Sequence, residues 1–112
     1  MPRLLIGSHR NKHVCYSVFP SDIQRIRRES LRFGSVSRAV LAAVEVFNER
    51  LSASGRVEEK YVTTDELKAP MSFNFTPRTT KLISLLAEDP AYGSKSNVIA
   101  AAAHWLSDPS RR

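Results

Sequence analysis

Two stretches of this chain run through the same succession: an alternating apolar run halted by a proline, a helical pattern, Gly-Ser-x-Ser, and a second apolar helix. Setting Pro20 on Pro77 lays VCYSVFP over MSFNFTP, large residue on large and small on small. Farther on, RFGSVSRAVLAAVEVF lies over AYGSKSNVIAAAAHWL. Gly34 then falls on Gly93, Ser35 on Ser94, Ser37 on Ser96, Val40 on Ile99 and Phe47 on Leu106. The offset is 57 at the prolines and 59 at the glycines, so the second copy has two extra residues. They fit best in AEDPAY, because Pro90 ends a helix. An internal repeat of this kind constrains the fold more than any single motif.

Within each copy the apolar period changes from two to about 3.6. Val14, Tyr16 and Val18 share one side of an extended chain, with Cys15 and Ser17 on the other; Met71, Phe73 and Phe75 alternate in the same way with Ser72, Asn74 and Thr76. Pro20 blocks the ladder. Ser21 and Gln24 match a capping box, which predicts a first helix from about Ser21 to Arg32 with Ile23, Ile26, Ser30 and Phe33 along one side. Gly34 is suited to end it. Either Ser35 or Ser37 caps the next helix, whose Val36, Val40, Ala43, Val44, Phe47 and Leu51 form a wide apolar stripe. In the second copy Leu82, Ile83, Leu85 and Leu86 are the apolar residues of the first helix.

The resulting plan is a basic arm at 1–12, a strand–helix–helix unit at 13–51, a connector at 52–69 and a second unit at 70–107, all in one compact domain. Each copy has one strand, and an isolated strand leaves both edges unpaired. Pairing them as an antiparallel ribbon joins two of those edges. The expected fold is therefore mainly α with a two-stranded antiparallel ribbon. The large strand residues pack down on four helices, and the small ones point away. A register shift of one would expose Val14, Tyr16 and Val18 instead.

Charge narrows the partners. The net charge is +6 and the isoelectric point near 10.0, which favours a polyanion such as nucleic acid or, less often, an acidic membrane surface. Residues 1–56 hold ten Lys/Arg against four Asp/Glu, whereas residues 57–112 hold seven of each, so the surplus belongs to the first half. Cys15 is the only cysteine, which excludes an internal disulfide and a two-cysteine metal motif. The N-terminal residues lack a signal-peptide core, and no run approaches the roughly 20 apolar residues of a membrane span. A cytoplasmic protein with no membrane role is expected, and the initial Met reads as a native start.

VCYSVFPSDIQRI followed by FGSVSRAVLAAVEVF resembles a ribbon-helix-helix unit of the Arc/MetJ/CopG type, and MSFNFTPRTTKLI with YGSKSNVIAAAAHWL resembles a second. Most family members have one unit per chain and dimerise. Chains with two are similar to TraY-type relaxosome proteins and to the T-DNA-border accessory protein of the Agrobacterium virulence system. The resemblance implies an intramolecular pseudo-dimer whose ribbon enters the DNA major groove. It also implies that each second helix holds a backbone phosphate at its N-terminus.

Physical chemistry supports the same assignment. A major groove admits a two-stranded ribbon, and small polar side chains approach base edges there. Ser17, Ser72 and Asn74 are the expected readers, with Thr76 at the rim; His13 and Cys15 complete the outward face of the first strand. Cys15 and the following Phe19 depart from the Arg, Lys, Gln or Thr common in the family, so the first strand is expected to read weakly. Phosphate binding is expected at Ser35, Val36, Ser37 and Arg38 and at Ser94, Lys95 and Ser96, from free N–H groups and a positive helix end. Arg25, Arg27, Arg28 and Arg32 either add affinity or form a solvated helix face.

No His/Cys/Asp/Glu spacing suits a metal, no nucleophile elbow or phosphate loop occurs, and no cofactor is expected. His104 reads as a surface or helix-end residue, Trp105 and Phe47 as core. The expected function is binding of double-stranded DNA at specific sites, without enzymatic activity, as a transcriptional repressor or an accessory factor in plasmid or T-DNA processing. The pseudo-dimer is expected to be monomeric, with further association on DNA open. The alternative is a protein-interaction module of the same fold, antitoxin-like or an assembly factor. Against it, residues 107–112 are short for a partner-binding tail.

Overall fold

A computed structural model describes residues 12–54 and 66–108. The expected arm, apart from Lys12, and the connector between 55 and 65 lie outside the described residues. The elements run β1 (Lys12–Val18), α1 (Pro20–Phe33), α2 (Val36–Ser54), β2 (Ala69–Phe75), α3 (Pro77–Ala87) and α4 (Lys95–Ser107). The two strands form one antiparallel two-stranded sheet. The fold is thus mainly helical with a β ribbon, and among the described residues no helix is long and apolar enough to cross a membrane.

The ribbon register pairs His13 with Asn74, Val14 with Phe73, Cys15 with Ser72 and Tyr16 with Met71. Alternation then decides burial. Val18, Phe73 and Phe75 are buried and Val14, Tyr16 and Met71 half-buried, while His13, Cys15, Ser17, Ser72 and Asn74 are exposed. Tyr16 lies against the stacked Phe73 and Phe75 rings, its ring centre 6.0 Å from Phe73 and 6.2 Å from Phe75.

Below the ribbon the four helices enclose one core. α4 is its centre: Val98 through Ala103 are all buried, and the helix packs on α1, α2, α3 and β1. A helix apolar nearly all round must be covered on every side, and its run of four alanines lets neighbours come close. α2 contributes Val40, Ala43, Val44 and Phe47, as its periodicity predicts. Phe47 and Trp105 meet edge to face, ring centres 6.3 Å apart, and Tyr92 closes the same cluster.

Several local expectations need correction. The Ser21–Gln24 capping box does not form. α1 starts at Pro20, with Phe19 at the N-cap making no side-chain cap bond. Proline is pre-shaped for the first helical position and has no N–H to leave unsatisfied, so the helix begins one residue earlier. Ser21 instead donates its N–H and hydroxyl to Glu66 Oε1, at 3.0 and 3.1 Å. Leu85 is 45% exposed. The buried stripe of α3 is Thr79, Leu82, Ile83 and Leu86, and Leu85 lies about 100° round the helix from its middle.

The choice of cap for α2 falls to Ser35, whose Oγ accepts from the Arg38 N–H at 3.1 Å. Gly34 ends α1 with φ +93°, its N–H donating to the Ser30 carbonyl at 2.9 Å. The two-residue insertion has a clear form: α3 is 11 residues against 14 in α1, and residues 88–94 replace the short 34–35 link. Tyr92 and Gly93 there both donate to the Asp89 carbonyl.

Candidate functional site

The outward face of the ribbon carries His13, Cys15 and Ser17 on β1 opposite Asn74, Ser72 and Pro70 on β2. All six are exposed, and none except His13 has a bulky polar side chain. Thr76 lies past the end of β2, half-buried at the N-cap of α3. Its hydroxyl accepts from the Thr79 N–H at 3.2 Å and shares a hydrogen bond with the Thr79 hydroxyl at 2.8 Å. Phe19 also leaves the ribbon, and the Lys68 ammonium sits over its ring at 5.3 Å.

Each strand is flanked by the start of a second helix, and the pairing crosses between the copies. The α4 N-terminus stands beside β1, where the Ser96 hydroxyl donates to the Ser17 carbonyl. Pro70, opposite Ser17, has no N–H to offer across the ribbon. Ser94 caps α4 by accepting from the Asn97 N–H at 3.1 Å, and Lys95 is exposed. The α2 N-terminus stands beside β2. A cavity of about 370 Å³ separates them, with Ser35, Val36 and Ser37 on one wall and Ser72 and Asn74 on the other. The first four N–H groups of any helix lack partners in the preceding turn. In α2, Ser35 satisfies the Arg38 and Ala39 N–H groups, which leaves those of Val36 and Ser37 without a protein partner among the described residues.

The structure separates the arginines of α1. Arg25 pairs with the buried Asp22 carboxylate at 2.9 Å, and Arg32 pairs with Glu29 at 3.0 Å. Arg28 is exposed and only 3.9 Å from Glu29, while Arg27 is exposed at the cavity wall. Arg38 folds its side chain back over Gly34.

Sequence reading missed a buried polar contact. Asp22 is 2% exposed, and His104 Nε2 lies 3.4 Å from its Oδ1. Burial pushes the Asp22 carboxyl up, against the opposing pull of His104 and Arg25. Burial pushes the His104 imidazole down more than Asp22 holds it up. His104 does stand in the last turn of α4, as a helix-end residue, but its ring meets α1 instead of pointing into solvent. In the other half of the repeat Glu45 stands where His104 does, and it pairs at 2.8 Å with Arg78 on α3, the neighbour of Thr79, which takes the place of Asp22. The overlay of the two copies, which sets Glu45 on His104 and Asp22 on Thr79, holds the signal that could have found these contacts.

Among the described residues no cluster of His, Cys, Asp and Glu could hold a metal ion. No family model, curated protein or solved structure matches the chain.

Proposed function

We propose that the chain is a site-specific double-stranded-DNA-binding protein of the ribbon-helix-helix type, with its two strand–helix–helix copies acting as an intramolecular pseudo-dimer. The observation that carries this reading is an exposed ribbon face of small polar residues set between two helix N-termini. A ribbon of that width fits the major groove, and the flanking N–H groups suit backbone phosphates.

The register supports the pseudo-dimer. The overlay that puts Pro20 on Pro77 also puts Cys15 on Ser72, and these two residues pair across the ribbon. Equivalent residues meet each other only at the centre of a two-fold arrangement. The cross-copy contacts fit the same symmetry, since Asp22–His104 and Arg78–Glu45 each join a first helix to the other copy's second helix.

The two halves differ in sequence, so the preferred site is non-palindromic. In this reading Asn74, whose amide sets an N–H donor beside a C=O acceptor, reads adenine, while Ser17 and Ser72 add short contacts. Ser35–Arg38 and Ser94–Ser96 hold phosphates, and Lys12, Arg28 and Lys95 raise affinity. Directional binding of this kind serves repression of an operon or accessory work in plasmid or T-DNA processing in the cytoplasm, with binding rather than catalysis as the activity.

Selection of bound duplexes from a random pool tests the reading. A single asymmetric consensus is expected, and Asn74→Ala should cost about 1–3 kcal/mol at one position of it. Equal affinity for every sequence, or binding indifferent to salt, overturns it.

A further inference from the structure

The outward face of the ribbon is uneven along its length rather than across it. Antiparallel pairing brings residues of both copies together at each end. His13 lies opposite Asn74 at one end and Ser17 opposite Pro70 at the other, with Cys15 and Ser72 between them. The overlay of the copies sets Pro70 on His13 and Asn74 on Ser17. A symmetric ribbon would therefore carry the same two side chains at both ends. Here the ends differ at both positions: an imidazole and a carboxamide face out at one, a proline ring and a short hydroxyl at the other.

These groups differ in what they can tell apart in a major groove. A carboxamide matches the paired donor and acceptor of adenine, and an imidazole nitrogen donates to or accepts from a base edge. A serine hydroxyl does both, so it suits either kind of edge and discriminates little. Proline offers no donor, only apolar contact with a thymine methyl. All four residues are exposed, so burial does not separate them. Cationic grip, by contrast, is present at both ends. α2 begins beside Asn74 with Arg38 exposed in its first turn, and α4 begins beside Ser17 with Lys95 exposed at its first position. The Ser96 hydroxyl, donating to the Ser17 carbonyl, ties the second end to its helix.

We infer that the ribbon reads bases in one half of its site and grips only the backbone in the other. This division of labour rests on the DNA-binding reading and adds which part of the duplex carries the information. The His13–Asn74 end discriminates bases, with an adenine at Asn74. The Ser17–Pro70 end holds phosphates through the start of α4. Phosphate contacts fix register and orientation without reading sequence, so that end positions the reader at the other. The consensus is then short and displaced to one side of the footprint.

Selection from a random duplex pool with the full-length protein, then phosphate ethylation interference on a recovered duplex, tests the division. The selected bases should cluster in one half of the footprint, while ethylation interferes in both. That result needs no variant, so it stands whatever substitutions do to folding. His13→Ala and Asn74→Ala should each relax positions in the same half, Asn74→Ala by roughly 5- to 150-fold in base preference. Ser17→Ala and Pro70→Ala should leave the consensus as it is. The converse change, Ser17→Asn together with Pro70→His, should extend the consensus into the silent half, which loss of a merely structural contact would not do. Equal information in both halves, or relaxation by Ser17→Ala as large as by Asn74→Ala, overturns the one-sided reading while DNA binding stands. Ethylation interference confined to one half overturns the two-sided grip. Failure of any sequence to be enriched sinks the DNA-binding reading itself, and the division with it.

Discussion

Cys15 and Ser72 face each other across the ribbon, and each occupies the same place in its own copy of the repeat. No other pair in the register has this property, so the ribbon has a centre that both the sequence overlay and the hydrogen-bonded pairing define. In any antiparallel pair the Cα atoms lie about 4.5–5.5 Å apart, within the range a disulfide spans.

Ser72→Cys should therefore form a disulfide with Cys15 on mild oxidation, within one chain. Cross-linked protein should run as a monomer on non-reducing gels and gain roughly 2–4 kcal/mol of stability. A covalent dimer as the main product would mean that strands pair between chains. Because both residues are exposed on the outward face, the bridge leaves the core untouched.

If the chain binds duplex DNA as proposed, phosphate and base contacts should separate in a salt titration. Arg38→Ala or Lys95→Ala should weaken binding to all sequences alike and reduce the log–log salt slope by about one. Asn74→Ala should leave that slope in place and flatten sequence preference. Interchange of the two outcomes would move the reading face off the ribbon.

Stability should fall on acidification because of His104. Burial lowers its folded-state affinity for a proton below that of the unfolded chain, whose imidazole titrates near 6.5. The unfolded state then binds more protons as the pH drops through 6.5 toward the folded value, so stability is full above that window and is lost within it. The Asp22 carboxyl, pushed up by its own burial, acts with the opposite sign: it adds stability as the pH falls through its raised folded value toward 3.8. Urea midpoints at pH 7.5 and 5.5 should show the loss in the natural sequence and a flatter profile in His104→Asn. A gain at pH 5.5 that Asp22→Asn abolishes would assign the dominant role to the carboxylate.

Gly34→Ala should destabilise by about 1–2 kcal/mol, because an L residue resists the left-handed backbone at φ +93°. The added Cβ would also meet the Arg38 guanidinium at 3.4 Å, a flexible neighbour that can yield. Calorimetry on the variant measures the cost, and an unchanged melting temperature would mean the turn relaxes to another conformation.

The repeat, the alternation of both strands and the stop at Gly34 were legible in the chain because each is a local pattern. Period two determined which face of VCYSV and MSFNF goes down, and Phe47 announced itself as core through its place in the α2 stripe. The capping box failed because two neighbouring signals competed: Pro20 suits the first helical turn, and Glu66, 45 residues away, takes the Ser21 donors. Thr76 looked like a rim reader on period alone, yet its hydroxyl serves the next helix.

What the amino-acid sequence determined by itself was therefore two strand–helix–helix copies and the side of each strand that must be buried. Tertiary structure alone decided which shoulder residues were covered, and what covered them. Asp22 is buried where His104 meets it, Leu85 stays 45% exposed on the far side of α3 from the core, and one ribbon flank closes through Ser96 while the other opens into a cavity. Periodicity records only the direction in which a side chain leaves its own backbone. Burial and pairing depend on the chain that returns from far along the sequence, and no local pattern encodes where that chain will lie.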